Sequence, residues 1–199
     1  VTSPPRLRAD AARNRQLLLA AAAEEFAERG LEASVADIAR RAGVGKGTVF
    51  RHFPTKDDLI AAVVQERITP LIAAGERLLD AADAGAALLE FLAMAAQQQQ
   101  QLDLSFLQGA DRLAPDAAQT QERLFRVVHA LVDRARDHDA VRPDVTGTDV
   151  ILLMCAPNHV VTYLPDPPPD LWRRYLAIIF DGLRPQGAHP LPHPPPRSM

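Results

Sequence analysis

Residues 43–53, GVGKGTVFRHF, set three glycines around one lysine and follow them with a threonine. Such a stretch serves one of two chemistries. A glycine-rich loop can lay backbone N–H groups and a lysine against a nucleotide phosphate. A glycine turn can instead aim a short cationic helix at something larger. Spacing rejects the first. A phosphate loop of the Walker type needs a glycine five places before the Gly-Lys pair and a Ser or Thr directly after the lysine. Arg40 and Gly47 occupy those places. The dinucleotide fingerprint fits Gly43 and Gly45, but Thr48 stands where its third glycine belongs. Both motifs also need a β-strand ahead of the loop, whereas SVADIARRA, residues 34–42, reads as a short helix.

The surrounding sequence supplies the elements that would position the stretch. DAARNRQLLLAAAAEEFAERG, residues 10–30, reads as a helix with Asp10 as N-cap and Gly30 as its stop. Leu19, Ala22, Ala23 and Phe26 line one face of it. Ser34 caps a second helix, with Asp37 three places on, and Val35, Ile38, Ala39 and Ala42 face inward. Gly43 ends that helix because the turn there favours positive φ, and Val44 plugs the turn. A third helix, residues 46–53, buries Val49 and Phe53; Pro54 breaks it, and Thr55 caps the next. Helix, tight turn, helix is the helix-turn-helix arrangement. Its third helix would turn Lys46, Gly47, Thr48, Phe50 and Arg51 outward, and a helix fits the DNA major groove. Lys46 and Arg51 can bond guanine edges or phosphates, Thr48 a phosphate or a thymine methyl, and Gly47 permits close approach. His52 and Lys56 suit phosphates. Taken alone, Arg51 and Lys56 are ordinary surface charges, and His52 could stay internal.

Residues 13–64 resemble the DNA-binding domain of the tetracycline-repressor (TetR) family of bacterial transcription regulators. AAAAEEFAERG, IARRAGV, GTVFRHF and KDDL follow the family pattern in order and at its spacing, over less than a third of the chain. The resemblance implies DNA contacts at Lys46, Gly47, Thr48, Phe50, Arg51, His52 and Lys56, with Ser34 near a phosphate. Two departures stand out. Gly45 replaces the usual serine cap, which weakens the start of the third helix. Phe50 replaces the usual tyrosine, so a hydroxyl bond to phosphate is lost and only apolar contact remains.

The rest of the chain is compatible with that reading. A length of 199 residues with 47% hydrophobic content fits a globular protein with a real core. Residues 1–60 hold ten basic against eight acidic side chains, and residues 61–199 twelve against seventeen, so a net charge of −3 hides a mildly cationic start. Lys46 and Lys56 are the only lysines. No apolar run approaches a membrane span, the longest being residues 150–156, and no apolar stretch follows the first arginines as in a secretory signal. The single cysteine, Cys155, excludes an internal disulfide and reads as a small core residue, so a reducing cytoplasm is the expected setting.

The expected architecture is all-α. A short arm, residues 1–12, carries Arg6 and Arg8, which either enter the minor groove or are disordered. The helix-turn-helix domain, residues 13–64, is followed by a larger helical ligand-binding and dimerisation bundle, residues 65–184. A proline-rich tail, residues 185–199, is expected to be disordered, with His189 and His193 as tail residues rather than metal ligands. Pro70 is expected to end or kink the fourth helix. Later helices carry Leu88, Phe91 and Leu92; Leu124, Val127, Val128 and Leu131; the segment 150–164 broken by Pro157; and Leu171, Trp172, Tyr175, Leu176, Ile179 and Leu183.

In the family resembled, the last two helices form a homodimer and the bundle encloses a small-molecule effector. Candidate ligand contacts are Met94, Phe106, Phe125, His129, Met154 and Asn158, though a Met or Phe at helical spacing is more often core. The function implied is a ligand-responsive repressor that binds a pseudo-palindromic double-stranded DNA operator as a dimer and is released by a small molecule. No cofactor, metal site or membrane partner is expected. A helical enzyme is the competing class, but no paired carboxylates, Ser/His/Asp arrangement or metal-ligand spacing supports it. DRARDHDA, residues 133–140, reads as a solvated helix end.

Overall fold

The computed structural model describes residues 5–101, 115–154, 156, 164, 166–186 and 188–196. Phe106 and Asn158 lie outside the described residues. Eight α-helices and no strand occur among those described. The chain divides into two compact units: Val1–Arg67 with Gln101–Thr120, and Ile68–Gln100 with Gln121–Met199.

In the first unit, α1 spans Pro5–Arg29. It starts ahead of Asp10, which is therefore a helical residue and not the N-cap; Pro5 suits a first turn because it has no N–H to leave unpaired. Leu18, Leu19, Ala22, Ala23 and Phe26 are buried. After a 3-10 turn over Gly30–Glu32, α2 runs Val35–Arg41. Ser34 Oγ accepts from the Asp37 N–H at 3.1 Å and donates to Asp37 Oδ2 at 2.7 Å. At the other end Gly43 takes φ +69°, with Gly43 N–H bonded to Arg40 O (3.1 Å) and Val44 N–H to Ala39 O (3.0 Å). These two bonds satisfy carbonyls that the helix end would otherwise strand. The next helix, α3, spans Lys46–His52 and starts at Gly45 without a side-chain cap. Thr55 and Asp58 cap α4 (Lys56–Leu78) reciprocally, at 2.9 and 3.0 Å. Ile38, Val49, Phe53, Leu59 and Val63 are also buried in this unit.

Two arginines tie α2 to α1: Arg29 reaches Asp37 at 3.2 Å, and Arg41 makes the larger set of contacts. Arg41 Nε reaches Glu25 Oε1 at 2.8 Å, Nη1 reaches Glu24 at 3.2 Å, and Nη2 reaches Glu28 at 2.5 Å. Glu25 is only 2% exposed, and its second oxygen has Arg29 Nε at 3.7 Å. A buried carboxylate without a cation is costly, so Arg41 is what makes that burial tolerable. Its hydrogen bonds to Glu28, Glu24 and Glu25 hold its own proton more tightly than usual. In return, the hydrogen bond from Arg41 holds the Glu28 carboxyl below its ordinary value of 4.5. Ser34, then Arg40, does the same for Asp37.

In the second unit α4 continues to Leu78, followed by α5 (Ala84–Gln101), α6 (Pro115–Asp137, from Gln121 on), α7 (Gly147–Leu153) and α8 (Leu171–Leu183). Pro70 does not end α4. Proline removes one helical hydrogen bond, but Ile68, Leu71, Ile72 and Ala74 are buried on either side of it, and tertiary burial outweighs that local loss. Leu88, Phe91, Leu92, Val127, Val128, Leu131 and Val132 are buried, while Leu124 is half-buried. A Cβ on Gly75 would lie 2.8 Å from Phe91 Cε2, and one on Gly147 would lie 2.8 Å from the Cα of His129. Both glycines mark close packing rather than a special backbone shape. In α8 the buried side chains are Trp172, Leu176, Phe180 and Leu183; Leu171, Tyr175 and Ile179 are half-buried and Ile178 is exposed. The broad face is thus covered on one side, where Phe180 joins it, and only half covered on the other.

The tail has a point of attachment. Buried Arg142 pairs with Asp144 (2.6 and 2.8 Å) and also donates from Nη2 to the His189 carbonyl. A proline-rich segment has no core face, but its carbonyls remain acceptors, and this guanidinium has donors to spare.

Two outcomes are expected. Carboxyls with depressed folded-state pKa contribute stability that is fully present above their ordinary values and is lost as pH falls. The melting temperature should therefore decline below about pH 4.5, and Arg41→Gln should lower it at neutral pH and shallow the acid decline. Thermal melts from pH 3 to pH 7 (~0.5-unit steps) test this, and parallel curves for both proteins would refute it. Gly147→Ala should cost about 1–3 kcal/mol in urea unfolding, because a backbone atom cannot yield to the new methyl.

Candidate nucleic-acid interface

The outward face of α3 carries Lys46, Gly47, Phe50 and Arg51, all exposed, with Thr48 half-buried at its flank and Val49 buried beneath. Phe50 is 48% exposed. Arg51 Nη2 donates to Thr48 Oγ1 at 3.3 Å, one turn back, which braces the guanidinium while leaving its other donors outward. Apart from its chain neighbours and the backbone of its own helix, no atom of the described residues lies within 4 Å of where a Cβ on Gly47 would be. The fold therefore has no need of glycine there, although glycine weakens a helix.

The other three expected contacts sit elsewhere. Ser34 is exposed at the start of α2, with its hydroxyl engaged by Asp37 in both directions. Lys56 opens α4 and donates from Nζ to the Leu31 carbonyl. His52 is half-buried on the other side of α3, its ring tilted against Phe53 (centroids 6.3 Å apart). It borders a cleft of about 450 Å³ with Arg15, Asp58, Ala61 and Gln65, where the Arg15 guanidinium lies 5.4 Å from the Phe53 ring centroid. Five of the eight residues are thus gathered on α3 and pointed outward or flanking. Arg41 was not singled out from sequence. Its signal was the run EEFAER in α1, opposite in charge to the second arginine of IARRAGV.

Of the ligand candidates, Met154 is buried, and Met94 and Phe125 are half-buried. His129 abuts Gly147, with Nε2 3.5 Å from Thr148 Oγ1. Among the described residues, no three His, Cys, Asp or Glu side chains group to hold a metal ion, and no helix is long and apolar enough to cross a membrane.

Chemically, the α3 face offers two cations, one hydroxyl, one bare glycine and one aromatic ring on a surface narrow enough for the major groove. Residues 18–63 match the family described as "Bacterial regulatory proteins, tetR family". Residues 83–185, about half the chain, match "Transcriptional regulator SbtR-like, C-terminal domain". The chain belongs to the TetR family. TetR-family proteins are DNA-binding transcription factors and not enzymes, and this chain has their helix-turn-helix domain and helical body.

An HTH-type transcriptional repressor of Mycobacterium tuberculosis is 53% identical over 55 residues, 27% of this chain and 29% of that protein. The alignment thus spans under a third of that relative. Among solved structures, a TetR transcription regulatory protein from Mycobacterium vanbaalenii is 32% identical with TM-score 0.59, covering 89% of this chain and 99% of its own. A TetR transcriptional regulator from Streptomyces coelicolor is 28% identical, also at TM-score 0.59, over 87% and 99%.

Gly47→Ala separates fold from function in this TetR-family chain. The substitution should raise stability by up to about 1 kcal/mol, since the position is open and alanine favours helix. It should also weaken DNA binding several-fold in fluorescence anisotropy. Unchanged affinity would mean that no close approach occurs at Gly47.

Proposed function

We propose that this protein is a ligand-responsive repressor that binds a pseudo-palindromic operator as a homodimer, in the cytoplasm, and is released by a small molecule. The observation carrying the DNA half is the α3 face, where Lys46 and Arg51 have no ion pair among the described residues and stand beside the bare Gly47. Lys46 and Arg51 serve base edges or phosphates, Thr48 a phosphate, and Ser34, His52 and Lys56 the flanking backbone. The last of these uses donors that remain after its bond to Leu31.

Dimerisation is supported by apolar surface on the last two described helices. Leu152 and Leu153 on α7 and Ile178 on α8 are exposed, and Leu171, Tyr175 and Ile179 are half-buried. Such surface suits a two-fold helical contact. Two copies of α3 would then lie about 34–36 Å apart, one turn of DNA. An effector in the second unit, touching Met94, Phe125, His129 and Met154, would favour a geometry that no longer matches this spacing. Its binding and DNA binding would oppose each other by the same factor. The repressor named among the relatives is consistent with the sign of the effect.

The test is anisotropy against DNA from upstream of the protein's own gene and against duplexes selected from a random pool, at fixed salt. Lys46→Ala should weaken binding about 5- to 150-fold, the range expected for losing a base or phosphate contact. Ile179→Glu should convert dimer to monomer in light scattering. Equal binding to scrambled DNA with no effect of Lys46→Ala would overturn the reading.

A further inference from the structure

We infer that Phe50 reads a thymine methyl in each operator half-site, with Gly47 clearing the way for it. The inference rests on the DNA-binding reading above and specifies what that surface recognises.

Phe50 is 48% exposed at the centre of the outward face, next to Arg51 in sequence and one turn after Lys46 and Gly47. Its ring has no hydroxyl or other hydrogen-bonding group, so it cannot bond a phosphate. The edges that base pairs present in the major groove are hydrogen-bond donors and acceptors, with one apolar exception, the 5-methyl of thymine. A phenylalanine displayed toward that groove therefore has one base feature with which it gains free energy.

Gly47 adds a second, independent observation. It lies beside Phe50 on the helix surface, and a methyl there would meet no described residue beyond its own stretch of helix. Its bareness serves no packing need and weakens α3. What it does is lower the surface next to the ring, so that the helix can sit close enough for Phe50 to touch a base edge. Arg51, braced on Thr48, then lies alongside to meet a polar edge.

The experiment starts from duplexes selected by the full-length protein from a random pool. Each thymine of the half-site is replaced in turn by deoxyuridine, which removes the methyl and leaves base pairing intact. Wild type and Phe50→Ala are compared at one salt concentration, after thermal melts show that the variant folds. One thymine position should lose about fourfold in affinity per half-site, and about fifteenfold when both half-sites are changed, the effect of burying one methyl. That loss should vanish in Phe50→Ala.

The inference is overturned if no deoxyuridine changes affinity by as much as twofold, or if the sensitive position stays sensitive in Phe50→Ala. In either case selective binding would persist and the DNA-binding reading would stand. Failure to select any duplex would overturn both.

Discussion

A helix of seven residues has no stability of its own in water, because nucleation costs more than so few hydrogen bonds return. Both α2 and α3 are of that length. Their order is borrowed from every side. Ser34 satisfies the start of α2, the Gly43 turn satisfies its end, and Thr55 with Asp58 fixes the chain as it leaves α3. Beneath them Ile38, Val49 and Phe53 are buried, as are Leu18, Leu19 and Phe26 on α1. The presented face of α3 is thus set by groups that lie off that face.

Charge is sorted along the same line. Arg29, Arg40 and Arg41 pair with carboxylates of α1 and α2, and Lys56 holds the Leu31 carbonyl. Arg41 has the largest share, since it meets three glutamates of which one is almost wholly buried. Lys46 and Arg51 have no ion pair among the described residues, and Arg51 donates to a neighbouring hydroxyl. A cation neutralised by a carboxylate has little attraction left for phosphate, whereas the carbonyl bond of Lys56 leaves its charge in place. Cations outside such pairs keep that attraction.

The second unit follows a different logic, that of close packing. Gly75 and Gly147 sit where neighbouring side chains or backbone occupy the space of a methyl group, and α8 divides its apolar residues between a buried face and a partly uncovered one. The same residue type therefore carries opposite meanings in the two units. Glycine is sterically required at 147, whereas at 47 nothing inside the protein requires it.

Much of the first unit was legible from residue types and spacing. Caps and glycine turns act within three to five residues, so Ser34, Gly43 and Thr55 announce themselves locally. The apolar stripes of α1 and α5 and the outward set on α3 follow from helical periodicity alone. What the tertiary structure decided depends on contacts distant in sequence. Pro70 stays inside α4 because burial on both sides outweighs one lost hydrogen bond. His52 turns to a cleft shared with Arg15, Lys56 spends a donor on Leu31, and the tail is tied through His189 to Arg142. Phe180 joins the core, while Tyr175 and Ile179 stay half-uncovered, because the surface of α8 that meets its neighbours is set by packing. Periodicity tells which residues share a face of a helix; only the neighbouring helices determine which face is covered and which charge is already taken.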